Sequence, residues 1–299
     1  MTERVIQAVN LRHAYGKTEA LRGASFSVPE GSVTGLLGPN GSGKTTAIHI
    51  LIGILRRTAG DVSVLGMDPE AGAVAIRRRL GFVPEDPHGE PRFTVAKQLR
   101  FLKAFYPSWD DALEARMLDQ LDLDPAKKVP GLSRGERSKL ALVGALAHRP
   151  ELLILDDPTL GLDPMARREF IEGMIAVLAD EGKTVFFSTH HMQDIEKVAD
   201  RVIMLNHGET ILENDLEVIR DTWRCFQLTF EDGSAPATVS VPGMFRWEPE
   251  GRTGRLVFEN YTPDAMKIME EIASSVDAVP FDLEDIFVEN ASRGRRRRS

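Results

Sequence analysis

Two adjacent carboxylates, Asp156 and Asp157, follow the apolar run Leu153 to Leu155. A short apolar run of this kind is typical of a buried strand, so both side chains are expected where a strand ends. A carboxylate at such a place can ligate a divalent cation, and its neighbour can orient a water molecule for attack on a phosphate. Because many strands end in an aspartate, this pair alone does not specify the chemistry.

A glycine-rich segment upstream supplies the other half of such a site. Its residues fit the pattern Gly-x-x-x-x-Gly-Lys-[Ser/Thr]: Gly38, Pro39, Asn40, Gly41, Ser42, Gly43, Lys44 and Thr45, with Thr46 directly after. The glycines allow successive backbone N–H groups to point at phosphate oxygens, and the N-terminus of the following helix favours negative charge. An ordinary glycine-rich turn is disfavoured because every position of the pattern is matched.

The phosphate-binding pattern gives several of these residues an expected role. We expect Lys44 to reach the β- and γ-phosphates of a nucleotide, and residues 38–46 to line its phosphates. The Thr45 hydroxyl and Asp156 are expected to hold Mg²⁺, directly or through water. Asp157 would then lie near the γ-phosphate, where it can orient the attacking water.

The elements around these motifs predict a mostly parallel sheet. Val33 to Leu37 is a short apolar strand that leads into the glycine-rich loop, and Lys44 to Leu55 is the helix after it. Glu151 to Leu155 and Thr184 to Phe187 are candidates for buried strands, separated by a helix over Ala166 to Ala179. This alternation predicts an α/β fold with helices on both faces of the sheet.

The remaining parts of the chain have other patterns. Strand-like alternation near the start predicts an N-terminal antiparallel β subdomain, and a helical subdomain is predicted over about residues 86–148, all within a first domain of residues 1–222. Residues 223–290 read as a small α/β accessory domain, with strands at 226–230, 238–241 and 256–258 and a helix at 263–274. Residues 291–299 are predicted to be a disordered basic tail.

Charge is distributed unevenly along the chain. The formal net charge is −8, but residues 293–299 contain five arginines, so residues 1–292 alone sum to −13. An acidic body argues against broad binding to duplex nucleic acid, which needs a basic face, and no nucleic-acid partner is expected. The arginine tail is either solvated or in contact with an anionic lipid surface.

Composition also bears on the cellular compartment. The longest apolar run, Ala47 to Leu55, is interrupted by His49 and Gly53, whereas a membrane-spanning helix needs roughly 20 apolar residues. The single cysteine, Cys225, rules out an intramolecular disulfide and fits a reducing compartment. We therefore expect the chain to lie in the cytoplasm without crossing a bilayer by itself.

A third motif narrows the field of phosphate-loop ATPases. The segment Leu132-Ser133-Arg134-Gly135-Glu136 precedes a long predicted helix, which in turn precedes the strand of Asp156. Here the sequence resembles the ATP-binding cassette family, namely the nucleotide-binding subunits of ABC transporters, whose signature is Leu-Ser-Gly-Gly-Gln. The resemblance covers residues 4 to about 220 and implies a phosphate-loop NTPase core of the RecA-like type.

The resemblance implies roles for residues outside the phosphate loop. It implies that Tyr15 stacks on adenine, and that Glu85 takes the place of a glutamine that contacts Mg²⁺ and the transport partner. Ser133 and Gly135 would bind the γ-phosphate across a dimer interface, and His190 would contact the γ-phosphate as a switch histidine. The loop Gly161 to Pro164 would communicate between the subunits. It also implies that the helical region and the Glu85 loop form a groove for a short helix of the membrane subunit.

Three of the departures from the family pattern bear on the expected chemistry. Asp157 stands where the family has glutamate, which withdraws the carboxylate by one C–C bond, about 1.5 Å. We therefore expect slow but nonzero hydrolysis, unless a shifted backbone restores the reach. Glu85 replaces a neutral amide by a carboxylate near Mg²⁺, and the Arg134 side chain, basic where the signature has glycine, is able to point outward.

The function implied by the resemblance is that of an ATP-binding and ATP-hydrolysing subunit that drives a separate membrane permease. Two copies, or this chain and a sister chain, would close on two ATP–Mg²⁺ at the cytoplasmic face of the membrane. The Pro84-Glu85 loop and the segment Leu283 to Phe287 favour an exporter. The alternatives are a regulatory subunit that binds ATP without useful turnover, and a cassette ATPase acting on DNA or ribosomes.

The non-transport alternative is disfavoured by what the sequence lacks. Members that act on DNA carry long coiled coils or zinc modules, and members that act on ribosomes carry two cassettes in one chain. This sequence has no sustained heptads, one cysteine and one phosphate loop.

Overall fold

The structure is a computed structural model that describes residues 3–179, 183–231 and 233–296. The chain divides into two compact units, the first ending at Glu213 and the second beginning at Asn214. The first unit contains the strands β1 (Arg4–Tyr15), β2 (Thr18–Pro29), β3 (Val33–Leu37), β4 (Ala59–Val64), β5 (Leu80–Val83), β6 (Leu152–Asp156), β7 (Thr184–Thr189) and β8 (Arg201–Asn206), and the boundary between the units falls within β9 (Glu209–Asp215). Its helices are α1 (Lys44–Leu51), α2 (Pro69–Arg79), α3 (Val95–Lys103), α4 (Asp111–Gln120), α5 (Arg134–Leu146), α6 (Pro164–Ala179) and α7 (Met192–Val198).

A six-stranded sheet in the order β5-β6-β7-β3-β8-β9 forms the centre of the first unit. The pairs β5–β6, β6–β7, β7–β3 and β3–β8 are parallel, as the alternation of strands and helices predicted. Every residue of β6 and β7 is buried, which explains why these strands read as continuous apolar runs in the sequence.

The strand register brings the predicted site residues to one edge of this sheet. Leu37, the last residue of β3, pairs with Thr189 at the end of β7, and Asp156 at the end of β6 pairs with Ser188. In a parallel sheet all carboxyl ends lie on the same side. The loop after β3, the carboxylates after β6 and the histidines after β7 therefore leave the sheet together.

A three-stranded antiparallel sheet in the order β2-β1-β4 packs beside the central sheet. The strands β1 and β2 are each 12 residues long. Phe26 of β2 stacks on Phe186 of β7 with ring centroids 5.9 Å apart. Since both rings are buried, this contact joins the two sheets in one core.

Three α-helices, α3, α4 and α5, lie between β5 and β6, in the region predicted to be helical. Each begins at a side-chain cap: Thr94 accepts from the backbone N–H of Lys97 (3.3 Å), Asp110 from Leu113 (2.9 Å) and Ser133 from Glu136 (3.2 Å). Such caps satisfy donors that have no partner within the helix. The helical part starts at Val95, so residues 84–94 form a loop.

The second unit contains α8 (Leu216–Thr222), β10 (Arg224–Thr229), β11 (Met244–Glu250), β12 (Thr253–Phe258), α9 (Asp264–Ile272), β13 (Ser275–Val279) and α10 (Leu283–Arg296). Its antiparallel sheet has the order β11-β12-β10-β13. The unit starts at Asn214 rather than at residue 223, because α8 belongs to it. The backbone N–H of Tyr261 donates to the carbonyl of Thr222 at the end of that helix (2.9 Å).

Two expectations for the second unit were wrong. Residues 238–241 are not a strand; the pairing strand is β11, and the apolar pattern there reflects burial of Val241 without sheet pairing. Residues 291–296 are helical rather than disordered, because α10 continues to Arg296. The buried Glu289 anchors this helix to the sheet by accepting from Arg246 (3.0 Å) and Arg255 (2.6 Å). Residues 297–299 lie outside the described residues.

Within the described ranges, no helix has both the length and the apolar character needed to span a bilayer.

Candidate functional site

The glycine-rich loop lies between β3 and α1 and leaves the start of the helix uncovered. Gly43, the N-cap of α1, has a φ of 106° and provides no side chain, and the first turn carries no acidic residue. A Cβ on Gly43 would lie 2.7 Å from the carbonyl oxygen of Ala20, so only glycine fits here. The N–H groups of the first turn can therefore meet an anion from outside the chain.

Lys44 bends back over this loop. Its Nζ donates to the carbonyl oxygens of Gly38 (2.7 Å) and Pro39 (3.2 Å), while the residue as a whole is buried. Burial lowers the pKa of Lys44, and the charges of Asp157, Asp156 and Glu85 oppose that shift. The ammonium group is thus held inside the loop and within electrostatic reach of both strand-end carboxylates and of the half-buried Glu85.

Asp156 is the buried centre of a small hydroxyl network. Its Oδ1 accepts from the hydroxyl of Ser188 (2.8 Å) and from that of Thr45 (3.2 Å), and only 1% of the residue is exposed. Burial raises the pKa of Asp156, and the two hydroxyl hydrogen bonds oppose the shift. The strand end and the start of α1 are therefore joined at one carboxylate oxygen.

The donor set at this position fits Mg²⁺ when it is bound together with phosphates. Among the described residues, no three His, Cys, Asp or Glu side chains group closely enough to hold a metal ion without other ligands. Mg²⁺ at phosphate-transfer sites is held by one or two carboxylates together with substrate oxygens and water. Asp156 and the Thr45 hydroxyl supply that small set, with Glu85 as a further carboxylate near Lys44.

Asp157 is held in an unusual backbone conformation. Its φ is 39°, a left-handed value that costs energy for a residue other than glycine, although aspartate tolerates it better than most. Its backbone N–H donates to the hydroxyl of Ser188 (2.9 Å), and its Oδ2 lies 2.7 Å from Nδ1 of His190. The second oxygen, Oδ1, is buried and has no partner among the described residues.

The two histidines after β7 differ in their contacts. His190 faces Asp157, and its ring centroid lies 3.9 Å from that of His191. Burial lowers the pKa of His191, and the neighbouring charges of His190 and Arg167 act in the same direction. His190 is thus in direct contact with the carboxylate of Asp157, and its expected contact with a γ-phosphate stays a prediction.

The signature residues lie apart from the phosphate loop. Ser133 is exposed and forms a capping box with Glu136, whose carboxylate accepts from the backbone N–H of Ser133 (2.8 Å). No hydrogen bond among the described residues joins Ser133 to residues 38–45. Gly135 faces the start of α6, where an added Cβ would lie 3.5 Å from that of Ala166.

The side chain of Arg134 does not point away from the molecule. A Cβ on Gly161 would lie 2.5 Å from a guanidinium nitrogen of Arg134, so this guanidinium covers the loop that follows Asp157. Gly161 has a φ of 68°, which suits glycine in any case. The signature segment and the Gly161 loop of one chain are thereby in contact.

Tyr15 and the crest of the glycine-rich loop are open to solvent. Tyr15 ends β1, is 51% exposed, and meets His13 edge to face with ring centroids 4.6 Å apart. Pro39, Asn40 and Gly41 are exposed, whereas Ser42 and Thr46 are buried. The exposed aromatic ring and the exposed loop are both accessible to a ligand.

Comparison with known proteins relates this chain to a family. The family profile described as "ABC transporter" matches residues 21–160. The ABC transporter ATP-binding protein YdbJ of Bacillus subtilis is 34% identical over 219 residues, which are 73% of this chain and 71% of that protein. The Nod factor export ATP-binding protein I of Ralstonia nicotianae is 30% identical over 98% of this chain and 95% of its own length.

This chain belongs to the ABC transporter ATP-binding family. Among solved structures, the dimeric structure of MJ0796, a bacterial ABC transporter cassette, matches with a TM-score of 0.62 and 25% identity, over 71% of this chain and 98% of that one. The predicted phosphate-loop NTPase fold is confirmed. As a member of the family, the protein is an ATP-binding subunit of a transporter and an ATPase.

Sequence reasoning missed three residues of this ABC subunit's site region. Ser188 contacts both Asp156 and the backbone of Asp157, and the buried Asp194 forms an ion pair with the partly buried Arg167. The polar run Ser188-Thr189-His190 at a strand end was a usable signal for the serine. No local pattern indicates the ion pair, because it joins two different helices.

Proposed function

We propose that this chain is the ATP-hydrolysing motor of an exporter and acts on a separate permease at the cytoplasmic face of the membrane. The observation that carries the proposal is the meeting of Lys44, Asp156, Asp157 and His190 at one edge of the central sheet. Export is favoured because a relative that aligns with nearly the whole chain is named a Nod factor export protein.

In the proposed nucleotide complex, the loop Gly38 to Thr46 surrounds the phosphates and Tyr15 stacks on adenine. The uncovered first turn of α1 and the Lys44 ammonium supply the positive charge. Lys44 would exchange its contacts with the Gly38 and Pro39 carbonyls for phosphate oxygens. Thr45, Asp156 and Glu85 would hold Mg²⁺, which neutralises charge that develops on the phosphates.

Hydrolysis in this proposal depends on the two oxygens of Asp157. His190 holds Oδ2 in place, while Oδ1 has no partner among the described residues and is able to accept a hydrogen bond from the attacking water. Aspartate reaches about 1.5 Å less far than the glutamate usual in the family. We therefore propose slow turnover; a purely regulatory cassette would show no turnover even with its permease.

A second subunit would complete each site. Ser133 and Gly135 lie at the start of α5, with Ser133 exposed, so they are available to the γ-phosphate bound by another copy. In this arrangement each ATP lies between the phosphate loop of one subunit and the signature of the next. The partner is either an identical chain or a sister chain.

A groove in the helical region is the proposed permease site. It has a volume of about 300 Å³, and its wall includes the side chains of Leu80, Phe82, Leu102, Tyr106 and Leu140. Arg77 and Arg137 add positive charge, and the buried Nε of Arg137 has no partner among the described residues. We propose that a short amphipathic helix of the permease docks here and places a carboxylate near Arg137.

The arginine tail is the proposed lipid contact. Five arginines near an anionic surface would each contribute about 1 kcal/mol to retention there. Truncation after Ser292 removes all of them and should weaken binding to anionic liposomes without a change in ATPase activity. Equal liposome binding by the truncated and full chains would argue against this contact.

The proposed function is tested by reconstitution. The chain is purified from native membranes together with its co-eluting subunits, and ATPase activity is measured in proteoliposomes with Lys44→Ala as the inactive control. We expect a slow ATPase that requires the membrane subunit for full activity. Absence of a co-eluting membrane protein, or activity that persists in Lys44→Ala, would contradict the proposal.

A further inference from the structure

We propose that Asp194 is a positioning residue for ATP hydrolysis, which holds the loop carrying Asp157 against the segment carrying His190. The inference rests on the roles proposed above for Asp157 and His190. Asp194 lies on α7, four residues after His190, and its side chain is only 5% exposed. A carboxylate so deeply buried requires charged or hydrogen-bonding partners, and it has them on two other segments.

Arg167 of α6 is the first partner. Its Nε lies 2.9 Å from both carboxylate oxygens of Asp194, and its Nη2 lies 2.7 Å from Oδ1. This paired geometry fixes the orientation of both side chains more strictly than a single contact would. It therefore ties the helix after the Asp157 loop to the helix after His190.

Thr159 is the second partner. Its hydroxyl donates to Oδ2 of Asp194 (3.3 Å), and the residue is itself 4% exposed. Thr159 stands two residues after Asp157, whose carbonyl accepts from the backbone N–H of Leu160 (3.0 Å). Asp194 thus contacts the Asp157 loop directly as well as through α6.

These contacts define a clamp at a distance from the reacting groups. At one end, Oδ2 of Asp157 lies 2.7 Å from Nδ1 of His190. At the other end, the carboxylate of Asp194 accepts hydrogen bonds from Thr159 and Arg167. The left-handed φ of Asp157 is a conformation that persists only where the surroundings impose it. Without the clamp, the Asp157 loop is free to relax, which moves the carboxylate of Asp157 away from the proposed attacking water. This loss of reach adds to that caused by the shorter side chain of aspartate.

The expected result of breaking the clamp is a loss of turnover without a loss of nucleotide binding. Asp194→Ala and the nearly isosteric Asp194→Asn should lower kcat by about 10- to 100-fold, the usual effect of misplacing a reacting group by about 1 Å. The KM and the dissociation constant of a fluorescent ATP analogue should change less than about twofold, because the phosphate loop is untouched. Asp194→Glu, which keeps the charge, should recover part of kcat.

The same helix provides a matched control. Arg168 forms an exposed ion pair with Glu172 at 2.7 Å, with the two side chains 78% and 60% exposed. Arg167→Gln should reproduce the loss in Asp194→Asn, whereas Arg168→Gln should retain wild-type kcat. Equal effects of the two arginine substitutions, or losses of kcat and nucleotide affinity in parallel, would overturn the proposal.

A double-mutant cycle separates this inference from the proposed role of Asp157. If the clamp acts through Asp157, Asp194→Asn should add little to the loss in Asp157→Asn. Full additivity of the two losses would overturn the clamp. If Asp157→Asn retains wild-type kcat, the proposed role of Asp157 fails instead, and a kcat loss in Asp194→Asn alone then shows that the clamp acts through a different group. The thermal unfolding temperature of each variant is measured to confirm that every kcat refers to folded protein.

Discussion

At the scale of single residues, the neighbouring carboxylates Asp156 and Asp157 lie in different surroundings, and we propose different roles for them. Asp156 is buried among hydroxyl donors, which suits a ligand of a cation. The chain turns at Asp157 through a left-handed φ and directs that carboxylate to His190. A positive φ shifts the backbone in a way that can compensate for a shorter side chain. The ATPase rate of wild type relative to Asp157→Glu therefore decides whether the carboxylate reaches the attacking water.

Other residue-level contacts could not be predicted from the sequence. The phosphate loop was recognisable because its pattern is contiguous, and Asp156 because a strand-end carboxylate belongs with such a loop. The contact of Asp157 with His190 joins residues 33 positions apart, and that of Thr159 with Asp194 joins residues 35 positions apart. Such pairings depend on how β6 and β7 are aligned, which short-range patterns do not encode.

His148 provides a prediction about pH. It is 2% exposed, lies 3.3 Å from the Leu80 carbonyl oxygen and stacks on Tyr106, and burial lowers its pKa. Below its ordinary pKa of about 6.5, the unfolded histidine takes up a proton that the folded one resists, so stability falls as pH falls. Above that pH both states are neutral and the residue has no such effect.

We expect the free energy of unfolding to fall less between pH 6.5 and pH 5 in His148→Gln than in wild type. One histidine contributes at most about 1.4 kcal/mol per pH unit over this window. Urea unfolding of both proteins at several pH values measures the difference. Parallel pH profiles for wild type and His148→Gln would show that His148 does not cause the dependence.

At the scale of elements, the parallel sheet was the most predictable part of the structure. β3 has the predicted bounds, and the buried strands β6 and β7 each lie within one residue or two of theirs. The disorder predicted for residues 291–296 was wrong, because α10 continues to Arg296 and is anchored through Glu289. The prediction of a strand at residues 238–241 was also wrong, because an apolar pattern indicates burial but not pairing in a sheet.

The groove of the helical region leads to a prediction about the permease. Arg137→Glu reverses the charge of the groove wall and should weaken association with a permease that presents a carboxylate there. ATP binding should remain unchanged, because Arg137 lies outside the phosphate loop. Co-purification of tagged chain and permease from membranes measures the association.

Arg116→Glu is the control for that experiment. Arg116 is an exposed residue of α4 in the same helical region and does not line the groove. It should retain wild-type association. Equal loss in the two variants would indicate a general charge effect, and retention in both would contradict docking at the groove.

At the scale of the whole molecule, the proposed dimer predicts that one chain supplies the phosphate loop of one site and the signature of another. Mixing Lys44→Ala with Ser133→Ala chains tests this division. In a head-to-tail homodimer, each mixed pair contains one site with both residues intact. Random pairing at equal amounts should then restore roughly a quarter of wild-type ATPase, if each site acts independently.

Neither variant alone should show appreciable activity in that experiment. Failure of the mixture to exceed the sum of the separate variants would contradict a homodimer with shared sites. Activity would then have to come from pairing with a sister chain. Co-elution from native membranes would identify such a chain.

The most direct measurement is the steady-state ATPase rate of the permease complex with aspartate, asparagine and glutamate at position 157. We predict slow turnover in wild type, a loss of about 100-fold or more in Asp157→Asn, and an increase of about 10- to 100-fold in Asp157→Glu. A wild-type rate in Asp157→Asn would contradict the assignment of this carboxylate to hydrolysis. A glutamate variant no faster than wild type would show that the backbone at Asp157 already restores the reach.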